Sequence, residues 1–149
     1  MANEYLNNKS LEKTILVFQK IKRDKSLYGL LHKDLKERNL TYDLVEKKFS
    51  DSNNFFHDAQ KNLANAFYIL SSNIVRYAKF SLIDQDDAIQ EGVLVCFEKI
   101  DKFDPRMGKA FNYMTTCILN HFKQLYRSAK NYNELKRKYQ EFTKDKEKN

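Results

Sequence analysis

The sequence predicts an all-α fold, and three observations lead to that prediction. The chain of 149 residues contains only 3 Gly and 1 Pro, which are too few for a protein built from strands and tight turns. Lys, Leu, Glu and Gln, which are good helix formers, are frequent between the apolar positions. The apolar positions themselves recur at steps of three and four residues, the period of one helix face. A chain of this length supports one hydrophobic core with appendages.

Residues 1–55 are expected to form an N-terminal helical segment. A helix over about 11–23 follows Ser10, a residue type that caps helix N-termini. Two shorter helices are expected after it. Breaks are expected at Asn39 and over 50–54, where polar, turn-forming residues cluster.

Three principal helices are expected next, over about 58–80, 85–103 and 109–130. They lie within a core domain of residues 56–131. The second helix opens with negative charge, which a helix N-terminus favours, at Asp84, Asp86 and Asp87. Pro105 disfavours helical geometry at the residue before it, so 104–109 should form a loop. Residues 132–149 are expected to form a basic helical or flexible tail whose end, from Thr143, frays.

The positive charge is concentrated at the C-terminal end. The chain has 27 Lys and Arg residues against 20 Asp and Glu residues, a formal net charge of +7. Residues 123–149 contain nine basic and four acidic residues, so this segment carries five of the seven excess charges. Such a local excess favours a polyanionic partner.

Several classes of protein are not expected from this sequence. Cys96 and Cys117 lack disulfide framework spacing, and Cys117 with His121 offers only two ligands, so neither a metal site nor a cofactor is expected. No Gly-rich phosphate loop or activated nucleophile indicates an enzyme. No run approaches the roughly 18 apolar residues of a membrane span, and 1–8 lacks the order of a signal peptide. We therefore expect a soluble, unexported, non-enzymatic protein without a membrane partner.

A motif in the second half of the chain carries a family resemblance. Asp-Ala-Ile-Gln-Glu-Gly at 87–92 is followed by Phe-Asp-Pro at 103–105 and by Gly-Lys-Ala-Phe at 108–111. In that order and spacing the run resembles the core of region 2 of the sigma-70 family. Asn73 to Ala78 is similar to the family's preceding helix. The resemblance covers roughly 61–127.

A narrower resemblance is to the late-transcription sigma factors of tailed myophages. It is carried by Tyr5-Leu6-Asn7-Asn8-Lys9, by Tyr113-Met114-Thr115 and by Asn120-His121-Phe122. It implies a phage-encoded sigma factor that binds the host RNA polymerase core and directs recognition and opening of the minus-ten promoter element for late transcription. The protein would act in the cytoplasm of the infected bacterial host.

The resemblance implies two sets of site residues. The polymerase-binding set would meet the clamp coiled coil of the largest polymerase subunit and comprises Asp87, Gln90, Glu91, Val93 and Phe97. The DNA-binding set would lie against the minus-ten element and comprises Lys109, Tyr113, Thr116, Asn120, Lys123, Arg127 and Lys130. The residue types suit these roles, because Asn pairs with adenine, aromatic rings stack on unpaired bases and Lys or Arg neutralises phosphates.

Structural interpretations of the same residues stay open beside the functional ones. Polar positions such as Gln90 and Glu91 are also typical of a solvated helix face. Tyr113 could cap the edge of the core. The chain also departs from the general family, since it has no Trp and Thr116 and Cys117 stand where the family has an adjacent Trp pair.

The remaining partners follow from the tail and from the narrower resemblance. Myophage late sigma factors usually carry an acidic, apolar tail that binds the sliding clamp, whereas residues 136–149 here are basic, which favours non-specific phosphate contacts. A phage co-activator and the sliding clamp are left open as partners. The alternative functions are a non-sigma polymerase-binding adaptor or inhibitor, and a generic helical DNA-binding protein.

Overall fold

The computed structural model describes residues 7–78 and 82–148, with the side chains of the second range described up to Asp145. Within these ranges the chain forms four helices, α1 (Asn8–Glu37), α2 (Asp43–Ala78), α3 (Gln85–Lys99) and α4 (Ala110–Lys148). Two 3₁₀ turns, Ile100–Lys102 and Pro105–Met107, lie between α3 and α4, and the described residues contain no strand. The prediction of an all-α fold is confirmed.

The N-terminal segment contains one long helix, α1, and the first turns of α2, so the prediction of separate short helices is wrong. Asn7, rather than Ser10, caps α1, because its side chain accepts hydrogen bonds from the N–H groups of Lys9 and Ser10. The predicted break at Asn39 is confirmed, since Asn39 has φ of 56°, in the left-handed region that Asn tolerates better than most residues. Tyr5 and Leu6 of the N-terminal motif lie outside the described residues.

The predicted break over 50–54 is wrong, because α2 continues through it. Ser52 is buried and its hydroxyl donates to the carbonyl oxygen of Phe49 at 2.9 Å. One turn later the ring of Phe56 lies 5.3 Å from that of Phe18 in α1. Packing against α1 therefore overrides the turn preference of the polar residues. The expected end of this helix near Phe80 lies outside the described residues.

One hydrophobic core joins all four helices. The ring of Phe97 in α3 lies edge-on to Phe67 of α2 at 5.1 Å and to Phe18 of α1 at 6.2 Å. The face of α4 that completes the core carries Met114, Ile118 and Phe122, all fully buried. The N-terminal helix contributes Leu11, Ile15 and Phe18 to the same buried cluster. Because α1 supplies core residues, it helps to fix the relative positions of α3 and α4.

The connection between α3 and α4 is held in place by α1. The Nε2 atom of Gln19 donates hydrogen bonds to the carbonyl oxygens of Ile100 at 2.8 Å and Phe103 at 3.1 Å. Lys22 forms an ion pair with Asp101 at 2.7 Å. The Asp104 side chain caps the turn Pro105–Met107, which lies within the loop predicted over 104–109. These contacts fix the position of the α3–α4 connection relative to α1.

Helix α4 is longer than predicted. It continues past residue 130 to Lys148, and the expected fraying from Thr143 stays a prediction. The side chains of residues 130–142 are all exposed, and good helix formers such as Leu135, Lys136 and Arg137 favour the helix there without core contacts. In the described part of the chain no helix combines the length and apolar character that a membrane span requires.

Candidate functional site

The start of α3 is fixed by its own acidic residues. The carboxylate of Asp84 accepts hydrogen bonds from the N–H groups of Asp86 at 3.0 Å and Asp87 at 3.2 Å. These N–H groups have no acceptor within the helix, so the cap stabilises the first turn. The cap begins the helix at Gln85, as the acidic cluster predicted, and leaves Asp87 and Gln90 exposed on its surface.

The five predicted polymerase-binding residues divide between surface and core. Asp87 and Gln90 are exposed and Glu91 is partly exposed. Val93 and Phe97 are partly buried and pack against the hydrophobic core. The ring of Phe97 is partly covered by Phe18 and Phe67. The surface that a partner can reach is therefore formed mainly by the three polar residues.

Sequence reasoning missed an apolar residue on the same surface. Leu94, which is 63% exposed, lies one helical turn after Gln90. Together with Leu82 and with Leu125 and Ala129 of α4, it lines a groove of about 450 Å³ whose rim includes Asp87, Gln90 and Glu91. The i, i+4 spacing from Gln90 was the available signal. An apolar floor with an acidic rim suits a partner that offers an apolar side chain beside Lys or Arg.

A contact between α3 and α4 engages the central carboxylate of this surface. The Nε2 atom of His121 lies 2.8 Å from Oε2 of Glu91. Since an ionised carboxylate can only accept, Nε2 is the donor. The sequence assigned His121 no functional role, since it was weighed as a ligand with Cys117 and otherwise appeared only within the Asn120-His121-Phe122 motif. Its actual partner is the predicted docking carboxylate.

The residue after Glu91 allows α3 to approach α2 closely. Gly92 is buried, and a Cβ atom added there would lie 2.5 Å from Oγ and 2.8 Å from Cβ of Ser71. Any larger residue would force the helices apart, because distances under 3 Å between such atoms are repulsive. The glycine of the Gln-Glu-Gly motif therefore serves internal packing.

The predicted DNA-binding residues form an exposed strip along α4 and the residue before it. Tyr113 is partly buried, and the other six are exposed: Lys109, Thr116, Asn120, Lys123, Arg127 and Lys130. The steps of three and four residues from Thr116 to Lys130 place them along one side of the helix. The strip therefore combines an amide with a row of cations, which suits contact with bases and phosphates.

Tyr113 is held at the edge of the core. Its hydroxyl donates to the carbonyl oxygen of Lys99 at 2.9 Å, and its ring lies 5.6 Å from that of Phe103. Partial burial, followed by the nearby Cys117, raises the pKa of the phenol. Of the two interpretations that the sequence left open, the capping one describes these contacts, and base stacking stays a prediction.

A second groove lies beside Tyr113. It has a volume of about 380 Å³ and is lined by several predicted DNA-binding residues, Lys109, Tyr113 and Thr116. Sequence reasoning did not assign Lys102, Met107 or Asn112, which also line it. They come from the 3₁₀ turns and the first turn of α4, whose positions depend on the path of the loop.

The two cysteines are free thiols. Burial raises the pKa of Cys96 to about 12, with a further contribution from Cys117. Burial also raises the pKa of Cys117. Such thiols are poor nucleophiles and poor metal ligands. Among the described side chains no group of three or more His, Cys, Asp or Glu residues could hold a metal ion.

One protein-family model matches the segment that contains both the acidic surface of α3 and the exposed strip on α4. Residues 65–132 match the family model described as Sigma-70 region 2, which confirms the resemblance to region 2 for just under half of the chain. Region 2 is a transcription-factor segment that binds RNA polymerase and promoter DNA, and is not an enzyme. No curated protein and no solved structure matches the chain.

Proposed function

We propose, from the premise that residues 65–132 are a sigma-70 region 2 segment, that this chain is a sigma factor. It binds the core of a bacterial RNA polymerase and directs it to promoter DNA. The observation that carries the proposal is the family match over a helical pair, α3 and α4, whose acidic and basic surfaces are both exposed. The chain needs no catalytic group, because the polymerase supplies the chemistry.

The acidic surface of α3 is the polymerase-binding site of this proposal. Asp87, Gln90 and Glu91 rim the groove floored by Leu94, so a helix from the clamp coiled coil of the largest subunit would insert an apolar side chain and set its basic residues against the rim. An apolar centre within a polar rim is the usual composition of a specific interface. Val93 and Phe97 support this surface from beneath.

The exposed strip on α4 is the promoter-binding site. Asn120 is placed to meet a base edge of the minus-ten element, while Lys123, Arg127 and Lys130 meet phosphates on the same side of the helix. The groove beside Tyr113 and Thr116 would receive a base that has left the stack, with Lys109 near its phosphate. Extrusion of a base costs roughly a few kcal/mol, which polymerase-held contacts would offset.

The finer proposal is that the promoters are phage late promoters and that the protein acts in the cytoplasm of an infected bacterium. It rests on the motif Tyr5-Leu6-Asn7-Asn8-Lys9, on Tyr113-Met114-Thr115 and on Asn120-His121-Phe122. A phage co-activator and the sliding clamp are candidate partners in that setting.

A pull-down with purified core polymerase tests the docking surface. The double variant Gln90→Ala/Glu91→Ala should lose most of the binding of the parent chain. The chain offers a matched control, Gln140→Ala/Glu141→Ala, a second exposed Gln-Glu pair on the outer part of α4, which should bind as the parent does. Equal binding by both double variants would contradict the proposed docking surface. DNA binding without any polymerase binding would instead favour a generic DNA-binding protein.

A further inference from the structure

The bond between Glu91 and His121 joins the two surfaces of the proposed function. Glu91 lies on the docking surface of α3, and His121 follows Asn120 of the promoter strip on α4. Their side chains stay partly exposed, at 44% for Glu91 and 26% for His121. An ion pair or hydrogen bond between groups this exposed contributes little to the free energy of unfolding. Its effect should therefore be sought in binding.

The bond uses only half of the carboxylate. Oε2 of Glu91 lies 2.8 Å from Nε2 of His121. The second oxygen, Oε1, makes no hydrogen bond or ion pair with any described residue. A glutamate side chain on a helix surface otherwise samples several rotamers, and a partner that binds it must select one of them. The contact with His121 makes that selection in the free protein.

We infer that His121 is a positioning residue, which holds the Glu91 carboxylate in one orientation so that Oε1 is presented to a cationic side chain of the polymerase. The inference rests on the proposed docking surface. His121 belongs to α4 and is not among the residues that line the groove, so it orients Glu91 from the neighbouring helix. The bond also keeps the docking helix in register with the promoter-facing helix.

The geometry distinguishes this role from competition. If the partner were an Arg that engages both carboxylate oxygens, it would have to displace His121 from Oε2. Removal of the imidazole would then strengthen binding. If His121 positions the carboxylate, its removal weakens binding, by about two- to tenfold for one side chain whose rotamers are no longer restricted. The two roles thus predict changes of opposite sign.

A double-mutant cycle on the full chain tests the inference. The affinity for purified core polymerase would be measured for the parent, His121→Ala, Glu91→Ala and the double variant, with thermal unfolding of each as a check on folding. We expect His121→Ala to weaken binding by about two- to tenfold in the parent and to have no effect when Glu91 is already Ala. His121→Gln, whose amide can donate to the carboxylate, should recover part of the loss. Gln124→Ala, an exposed change on the same helix, should have no effect.

The outcomes separate this inference from the proposed function. Binding by His121→Ala that equals or exceeds that of the parent would overturn the positioning role while leaving the docking surface intact. An equal loss in both Glu91 backgrounds would overturn it as well, since the effect would not pass through the carboxylate. If Glu91→Ala itself bound as the parent does, the positioning role would fail, and the pull-down with Gln90→Ala/Glu91→Ala would decide separately whether the docking surface stands.

Discussion

The side-chain Oδ1 atom of Asn8 accepts a hydrogen bond of 2.9 Å from the backbone N–H of Phe111. Asn8 is the first residue of α1, and Phe111 belongs to the first turn of α4, where N–H groups have no acceptor within the helix. The start of the N-terminal helix therefore caps the helix that carries the exposed strip of predicted DNA-binding residues. Together with the Gln19 contacts, it makes α1 a structural support for the α3–α4 connection.

The first prediction concerns this cap. Asn8→Ala should lower the free energy of unfolding by about 1 kcal/mol, the usual cost of removing an N-terminal cap, as measured by urea denaturation. Asn133→Ala, at an exposed position of α4, serves as the control and should change stability far less. Equal stability of Asn8→Ala and the parent would show that water satisfies the Phe111 N–H group equally well.

The second prediction concerns the close approach of α2 and α3. Gly92→Ala should lower the free energy of unfolding by about 1–3 kcal/mol, because the new Cβ atom would overlap Ser71 and force the helices to shift. Gly29→Ala is the matched control, since its Cβ atom would meet only Phe49 Cε2 at 3.9 Å. That change should stabilise α1 by about 0.5–1 kcal/mol. The same response at both glycines would contradict the packing role of Gly92.

The third prediction concerns the basic outer part of α4. If Lys136, Arg137 and Lys138 bind phosphates, replacing all three with Gln should make promoter DNA binding less sensitive to salt. The slope of log K against log salt concentration should fall by about 0.9 for each phosphate that the variant no longer neutralises. Circular dichroism would check that the helix persists. An unchanged slope would show that these three residues do not bind DNA phosphates.

The fold class and several local features could be predicted because they depend on neighbouring residues. The cap at Asp84, the loop at Pro105 and the break at Asn39 each follow from residue types that act within a few positions. The false break over 50–54 shows the limit of such reasoning. Ser52 and Phe56 are helical because α1 packs against them, and no local pattern contains that information.

The candidate site also has features that neighbouring residues determine and features that only the packing of the helices determines. Helical periodicity was enough to predict an exposed Gln90 and an exposed strip from Thr116 to Lys130. It could not predict that His121 reaches Glu91, because 30 residues separate the two and the crossing of α3 and α4 brings them together. Phe97 likewise was assigned to the docking surface by family position, whereas α1 supplies a neighbour that covers part of its ring.

The central claim is that the chain enables promoter-specific initiation, and in-vitro transcription tests it most directly. Purified host core polymerase would be given supercoiled phage late-promoter DNA with and without the full chain, and transcript start sites would be mapped. The account predicts discrete transcripts that begin at the promoter only when the chain is present, and that disappear with Gln90→Ala/Glu91→Ala. A chain that binds core polymerase but yields no initiated transcript would contradict the claim and indicate an adaptor or inhibitor.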